Sequence, residues 1–268
     1  MSFTGILRNR LADMLFDTSL FIGVDPSGGR KPFTYAALDQ NAKLVALGGG
    51  EQEDVLAFIA GQPGALVAVN AAQRPSRGLV RQENFRQSLP PLHIAGRSLD
   101  MRLAEHQLRQ RGINVPMTPA RKELCSNWVQ AGFNFYTRIE QLGFQAFPAE
   151  QASYQWLETN AHASFCVLLG QNPLPRTSLE GRLQRQLVLY EQGLNIRDPM
   201  DFFEEITRHK LLRGFLPLEH IYHPEELDAI AAVQVAFVAG RHPARILRVG
   251  DADEGQISLP AVELKANY

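Results

Sequence analysis

Four consecutive stretches decide the fold: LFIGVD (20–25), PSGGRKP (26–32), FTYAALD (33–39) and KLVALGGG (43–50). Three of them are apolar runs of strand length. They are separated by a turn rich in Gly and Pro and by the short connection Gln40–Asn41–Ala42. Short connections of this kind join antiparallel neighbours. The sequence therefore predicts three antiparallel strands, the first of which begins at Leu20.

A parallel strand is predicted to follow these three. EQEDVLAFIAG (51–61) has acidic residues where a helix would begin and Gly61 where it would end. ALVAVN (65–70) is a continuous apolar run, typical of a strand buried on both faces. We expect this strand to lie parallel to LFIGVD. The predicted fold class is α/β, with a mixed sheet of three antiparallel strands and then parallel strands, flanked by helices.

The remaining sequence alternates helix and strand signals without a polar linker, so a single domain over residues 1–268 is expected, with a helical insertion over residues 72–150. Thr118 before Pro119 and the capping box Thr177–Glu180 predict the starts of two helices. The apolar spacing in residues 1–19 predicts an N-terminal amphipathic helix. The other predictions are helices near 99–111, 119–142, 161–169, 177–193, 201–214 and 224–240, a strand at 153–158, and a hairpin of 244–250 with 255–260.

Composition excludes several classes of protein. Hydrophobic residues make up 45% of the chain and charged residues 21%, a balance typical of an ordered globular protein. Cys125 and Cys166 are too few for a disulfide framework or a four-cysteine zinc site, which favours the reducing cytoplasm. No uncharged apolar run approaches the roughly 18 residues that a membrane span requires, so no membrane partner is expected.

The net charge of −1 conceals an uneven distribution. Residues 74–123 contain ten basic and four acidic residues, a local balance of +6, and 22 of the 27 basic residues in the chain are Arg. A basic segment of this kind is typical of proteins that contact phosphate groups. The sequence therefore favours a nucleic acid or a nucleotide as partner.

Polar residues end both buried strands. Asp25 closes LFIGVD and Asn70 closes ALVAVN, and open α/β sheets bind their ligands at the carboxyl ends of such strands. Carboxylate and amide oxygens are ligands for hard divalent cations. For Asp25, an Asx turn in Asp-Pro-Ser-Gly is the alternative interpretation.

Other side chains are candidates for the same site. Three acids are candidate metal ligands or catalytic groups, and each is alternatively a solvated charge: Asp228 in helix 224–240, Glu158 at the end of strand 153–158, and Glu105 in helix 99–111. Six basic side chains are candidate phosphate-binding residues, with surface ion pairs as the alternative: Arg74, Arg77, Arg182, Arg185, Arg208 and His209. His220 and His223 are three residues apart and could bind a metal, but no cysteine or third histidine lies nearby, which favours an ordinary loop.

Several phrases of the sequence resemble a known family. The chain is similar, over about residues 20–262, to the domain-of-unknown-function family numbered 429. That resemblance implies a ribonuclease H-like fold and a nuclease. The phrases that carry it are GVDPSGGRKPFTYAALD (23–39), VAVNAAQRP (67–75), TSLEGRLQRQ (177–186), DPMDFFEEITRHKLL (198–212), LDAIAA (227–232) and VGDADEGQISLP (249–260).

The resemblance also implies a site. Asp25 matches the first-strand acid of such nucleases, and Asp228 matches the acid on a late helix. The fourth-strand position, usually Asp in the family's motif, is Asn70 here. Two divalent cations, Mg²⁺ or Mn²⁺, would bind the attacking and leaving oxygens of the scissile phosphate. Since Asn70 lacks a formal charge, Glu105 or Glu158 would have to compensate.

Three functions are consistent with these residues. The first is a metal-dependent nuclease or phosphodiesterase, with Asp25, Asp228 and Glu158 as catalytic residues. The second is a non-catalytic binder of nucleic acid or nucleotide that has lost a metal ligand at Asn70. The third is a phosphotransferase, which needs two copies of the core and a second phosphate loop and is disfavoured by the length of 268 residues.

Overall fold

In the computed structural model, residues 20–27, 32–83, 85 and 100–268 are described, and the strands within them form one mixed sheet. Its spatial order is β3-β2-β1-β4-β6-β8-β7, with β5 paired to β6 outside this path. The strands are β1 (Leu20–Asp25), β2 (Phe33–Leu38), β3 (Leu44–Gly50), β4 (Ala65–Val69), β5 (Gln145–Ala146), β6 (Tyr154–Thr159), β7 (Leu247–Asp251) and β8 (Gly255–Leu259).

The helices flank this sheet, so the predicted α/β class is confirmed. They are α1 (Gln52–Ala60), α2 (Leu103–Arg109), α3 (Asn127–Gln141), α4 (Ala161–Leu169), α5 (Leu179–Glu191), α6 (Asp201–Glu204), α7 (Arg208–Leu212) and α8 (Pro224–Arg241). Among the helices of the described ranges, none combines the length and the apolar character that crossing a bilayer requires.

The pairing of the first four strands follows the prediction. β1 is antiparallel to β2, β2 is antiparallel to β3, and β1 is parallel to β4. β6 continues the parallel part on the far side of β4, and the predicted hairpin of β7 with β8 closes the other edge. As a result, the carboxyl ends of β1, β4 and β6 lie side by side at one edge of the sheet.

The two faces of the sheet are covered by different helices. Phe21 and Leu66 pack with α8, α4 and α5 on one face. Ile22 and Val67 pack with α1 and α3 on the other. Successive side chains of a strand alternate between the two faces of the sheet. Neighbouring residues of one strand, such as Phe21 and Ile22, therefore belong to different hydrophobic layers.

At Gly23, helix α8 lies against β1 with no side chain between the two backbones. A Cβ atom at Gly23 would overlap main-chain atoms of Ala229 and Val233. At the other end of the helix, Gly240 gives the same clearance to the ring of Phe21. Glycine in a strand often marks such a close approach. The contact at Gly23 fixes the start of α8 over the carboxyl end of β1.

Two predicted helices begin elsewhere than expected. The helix expected from Thr118 starts at Asn127. Thr118 lies in a segment without regular secondary structure, and its main-chain N–H donates to Oε2 of the buried Glu105 at 2.7 Å. For α5, Ser178 and not Thr177 is the N-cap, since its hydroxyl accepts from the N–H of Gly181.

The helix predicted over residues 201–214 is two short helices. α6 ends at Glu204, and the hydroxyl of Thr207 caps the new helix α7 by accepting from the N–H of Lys210 at 3.2 Å. A threonine that bonds the backbone in this way competes with a continuous helix. The helix predicted for residues 1–19 lies outside the described residues.

Candidate functional site

Asp25 and Asn70 lie together at the carboxyl ends of β1 and β4. The N–H of Asn70 donates to the carbonyl of Val24 at 2.8 Å, which extends the pairing of the two strands by one residue. The side-chain Nδ2 of Asn70 donates to Oδ1 of Asp25 at 2.8 Å. The structure thus brings together the two strand-end residues that the sequence singled out.

The orientation of the Asn70 amide is fixed from its other end. Its Oδ1 accepts the main-chain N–H of Ala161, at the start of α4, at 2.8 Å. Its NH₂ group therefore faces Asp25, and its oxygen faces the helix. Asn70 presents a donor to the carboxylate, whereas the sequence had made it a candidate oxygen ligand for a metal.

Asp228 reaches the same place from the other side. It lies in the second turn of α8, and the close contact of the next residue, Ala229, with Gly23 holds that turn over β1. Both carboxylates are buried, with 8% of each residue exposed. Burial first, and then the carboxylate of Asp228, raise the pKa of Asp25 to about 7.

A guanidinium partly compensates this negative charge. Nε and Nη2 of Arg176 each lie 2.7 Å from Oδ2 of Asp228, and Nη1 lies 3.5 Å from Oε1 of Glu225. Burial still raises the pKa of Asp228, in spite of the opposing charge of Arg176. Arg176 precedes α5 in an irregular segment, and no periodic pattern in the sequence points to it.

The carboxylates open into a cleft of about 740 Å³, within the range of small-molecule sites. Besides the residues above, its wall contains Arg185, His162 and the half-buried indole of Trp128. Trp128 comes from the first turn of α3, which approaches the end of β4 because Gly132 packs against Ala71. The described lining of the cleft therefore combines charged side chains with the aromatic ring of Trp128. The other residues that line it are Pro26, Ser27, Gly112, Asn114, Pro116, Asn160, Ala161, Asn172 and Pro173.

Asn172 connects one wall of the cleft to the end of the described chain. Its Nδ2 donates to the main-chain oxygens of Tyr268 at 3.1 Å and of Gly112 at 3.3 Å. The N–H of Tyr268 in turn donates to the carbonyl of Arg111 at 2.9 Å. The segment that carries Arg176 is therefore bound to residues far away in the sequence.

Glu158 and Glu105 lie in a separate buried cluster around Arg102. Nη2 and Nη1 of Arg102 lie 2.5 and 2.9 Å from the two oxygens of Glu158, and Nε lies 2.8 Å from Oε1 of Glu105. Leu157 packs on the α8 side of the sheet, so the next residue, Glu158, points to the face opposite Asp25. Both acids neutralise Arg102, and the structure does not bring them to Asp25.

The candidate phosphate-binding residues are dispersed. Arg185 lines the cleft, but Arg182 donates to the carbonyls of Tyr222 and Ile221 at 2.8 and 2.9 Å. The others are exposed away from the cleft: Arg74 at a smaller cavity beside Arg248, Arg77 near Asp253 at 3.5 Å, and Arg208 and His209 on α7. Of the six, only Arg185 belongs to the described wall of the cleft.

His220 and His223 have other contacts. Nε2 of His220 lies 2.8 Å from Oε1 of Glu205, and these two form, with Glu219, a largely exposed group whose ligand atoms lie within 4.8 Å of one another. Glu205 also forms an ion pair with Nζ of Lys210 at 3.2 Å, so its negative charge already has a positively charged partner. His223 precedes α8, and its N–H donates to Glu226 at 2.7 Å.

Cysteine chemistry does not account for the cleft. Sγ of Cys166 lies 3.7 Å from Nε2 of His162. Burial raises the pKa of this thiol to about 11. The thiolate, which is the nucleophilic form, is therefore scarce at neutral pH.

No family model, curated protein or solved structure matches this chain.

Proposed function

We propose that the protein is a divalent-cation-dependent phosphodiester hydrolase that acts on a nucleic acid or a nucleotide. The observation that carries the proposal is the pair of buried carboxylates, Asp25 and Asp228, at one cleft. Burial and mutual repulsion oppose the ionised form of Asp25. A cation bound between the two groups would favour that form, which is the usual reason for clustering buried acids at a functional site.

The strand order supports the same proposal. The ribonuclease H-like fold that the resemblance implies has three antiparallel strands followed by parallel ones. Its acids lie on the first strand, near the fourth and on a late helix. The order β3-β2-β1-β4-β6 corresponds to this arrangement. Under this proposal, Asp25 and Asp228 would be the first-strand and late-helix acids, and Asn70 would stand at the fourth-strand position.

The oxygens of the pair fit a hard divalent cation. Within the described ranges, donors reach Oδ1 of Asp25 and Oδ2 of Asp228 and leave the second oxygen of each carboxylate without one. Asp25 and Asp228 would hold Mg²⁺ or Mn²⁺, and Glu225 lines the same cleft. Asn70 would act as a positioning residue, since its amide fixes the carboxylate of Asp25.

The roles of the protein groups follow from their chemistry. A bound Mg²⁺ or Mn²⁺ supplies Lewis-acid polarisation of a phosphate oxygen and a water of lowered pKa. Asp25 must be ionised to bind the cation. The planar guanidinium groups suit phosphate oxygens. The indole of Trp128 offers an apolar surface on which a base can stack.

A non-catalytic binder is the second candidate, and two observations favour it. The amide NH₂ of Asn70 already donates a hydrogen bond to Asp25, and Arg176 already forms an ion pair with Asp228, so both carboxylates have a partner without a metal ion. In this alternative the cleft binds a nucleotide or nucleic acid through the exposed part of Arg176 and through Trp128, without cleavage. Two results would support it: retention of the protein on immobilised nucleic acid that falls steeply as the salt concentration rises, and no hydrolysis with any divalent cation.

Calorimetric titration with Mn²⁺ tests the cation site. The wild type should bind Mn²⁺, and Asp25→Asn and Asp228→Asn should each abolish that binding. Glu205→Gln is the matched control, because Glu205 belongs to the other group of possible ligands. If Glu205→Gln abolishes binding and Asp25→Asn leaves it unchanged, the cation site is not in the cleft.

Hydrolysis assays test the reaction itself. With Mg²⁺ or Mn²⁺, the wild type should cleave bis(p-nitrophenyl) phosphate or a single-stranded oligonucleotide, and Asp25→Asn should not. Binding of the oligonucleotide without cleavage, with either cation, would favour the second candidate.

A further inference from the structure

Arg176 contacts a carboxylate that would bind the cation, and it also lines the cleft that would bind the substrate. Its Nε and Nη2 both contact Oδ2 of Asp228 at 2.7 Å, and its Nη1 approaches Glu225 at 3.5 Å. Yet 40% of its side chain is exposed, and it lines the cleft. The guanidinium is therefore the counter-ion of the first turns of α8 and at the same time accessible to a ligand.

A divalent cation at Asp25 and Asp228 would weaken this ion pair. The cation would draw on the same carboxylate charge that binds Arg176, and two positive charges at short range repel each other. A guanidinium released from Asp228 has its planar donors available. Two adjacent oxygens of a phosphate are the acceptors that fit such a fork.

The backbone that carries Arg176 is held independently of the ion pair. The N–H of Leu174 donates to Oε1 of Gln184 at 2.8 Å, and Nη1 of Arg185 donates to the carbonyl of Leu174 at 2.8 Å. The N–H of Ser178 donates to the carbonyl of Pro175 at 3.2 Å. Only the side chain of Arg176 has to move from one partner to the other.

Arg185, the other guanidinium of the described cleft wall, is committed to structure. It is 3% exposed, and its Nη1 also donates to the carbonyl of Gly181 at 2.9 Å. Its guanidinium carbon lies 5.3 Å from the ring centre of Phe165. Arg176 is thus better placed than Arg185 to contact a ligand.

From these contacts we propose that Arg176 binds the substrate phosphate and couples it to the cation. Without ligands, Asp228 and Glu225 bind the guanidinium; with the cation present, the guanidinium turns to the phosphate. Each ligand therefore strengthens the binding of the other, because the cation releases Arg176 from Asp228 and the phosphate, by binding Arg176, frees Asp228 for the cation. This inference rests on the proposed function, since it requires a cation at Asp25 and Asp228.

Calorimetry with two probes, Mn²⁺ and thymidine monophosphate, tests the coupling. The titrations use the full chain at about pH 8.5, above the pKa of about 7 of Asp25, so that protons compete little with the cation. In the wild type, saturating Mn²⁺ should tighten the binding of thymidine monophosphate by a factor in the roughly 5- to 150-fold range of coupled sites.

Arg176→Gln should act on the two ligands in opposite directions. Its affinity for Mn²⁺ alone should rise, because the competing charge is gone. Its affinity for thymidine monophosphate should fall, and the coupling should approach a factor of one. Arg176→Lys keeps the charge but not the fork, so its Mn²⁺ affinity should stay near that of the wild type while its nucleotide affinity is intermediate. Arg248→Gln, an exposed arginine outside the cleft, is the control.

Two outcomes overturn the inference, and they differ in what else they overturn. If Mn²⁺ binds the wild type and Arg176→Gln equally well and the coupling persists, the inference is wrong and the proposed function stands. If Mn²⁺ binds neither protein, the coupling and the cation site both fail. A circular-dichroism melt of each variant establishes that these comparisons are made on folded protein.

Discussion

The amide of Asn70 donates its N–H to Asp25 at 2.8 Å and accepts the N–H of Ala161 through its oxygen at 2.8 Å. It is thus a bridge between the end of β1 and the start of α4. Asn70→Asp keeps the acceptor for Ala161 and turns the group facing Asp25 from a donor into a third carboxylate. We expect Mn²⁺ affinity to rise by about 10- to 100-fold, the scale on which groups around a metal ligand act. Calorimetry checks this, and an unchanged or lower affinity would contradict it.

Asn70→Ala provides the complementary test. It removes the donor to Asp25 without adding charge, so Mn²⁺ affinity should fall while the protein stays folded. A rise in both variants would mean that the amide only obstructs the site.

Gly23→Ala should displace α8 from β1. The added Cβ overlaps main-chain atoms of Ala229 and Val233, and neither backbone can yield as a flexible side chain would. We expect a loss in the free energy of unfolding of about 1–3 kcal/mol or more, as for overpacked cores. We also expect weaker Mn²⁺ binding, because Asp228 moves with the helix. Urea unfolding and calorimetry measure the two effects. Gly61→Ala, whose Cβ would meet its nearest neighbour at 3.4 Å, is the matched control.

Stability should depend on the ionisation of Asp25. Its pKa is about 7 in the folded protein and about 4 in an unfolded chain. As the pH rises between these values, the unfolded state loses this proton first, so the free energy of unfolding falls. A shift of about three units corresponds to about 4 kcal/mol, fully lost above pH 7. Urea denaturation of the wild type and Asp25→Asn across this range measures the loss, which the variant should largely lack.

Mn²⁺ should reverse this loss above pH 7, because it binds the ionised form. Its affinity should fall by about tenfold for each pH unit below 7, as one proton is displaced. A pH-independent affinity would show that Asp25 is not a ligand.

Glu158→Gln should separate stability from cation binding. Glu158 and Glu105 neutralise the buried Arg102, and removing one partner of a buried ion pair costs about 3–5 kcal/mol. We expect a lower urea midpoint and an unchanged Mn²⁺ affinity, since the carboxylate points away from Asp25. Asp25→Asn should show the reverse pattern.

The sequence predicts the local part of the site well, because Asp25 and Asn70 need only strand ends and a parallel pairing to meet. It misassigns Glu158 to that spot for a definite reason. Side chains alternate along β6, so Glu158 points to the face of the sheet opposite that of Leu157. Which face Leu157 occupies is known only once the position of α8 on the sheet is known. Gly23 is the one local signal that could have placed it, since a glycine inside a buried strand indicates a close backbone approach.

Arg176 could not be predicted in this way. It lies between α4 and α5, where no periodicity relates a side chain to a face of the fold. Its position depends on the contacts of Leu174 with α5 and of Asn172 with Tyr268. Residues placed by such tertiary contacts leave no pattern in their own segment.

The hydrogen bonds of Asn172 to Tyr268 and Gly112 give the last residues of the sequence an influence on ligands that they do not contact. Loosening Tyr268 would free the segment before Arg176 without altering any charged group of the cleft. Variants selected for altered affinity should therefore include substitutions near residue 268 as well as in the cleft wall. The segment around Tyr268 thus becomes a place from which the strength of binding can be tuned separately from the chemistry.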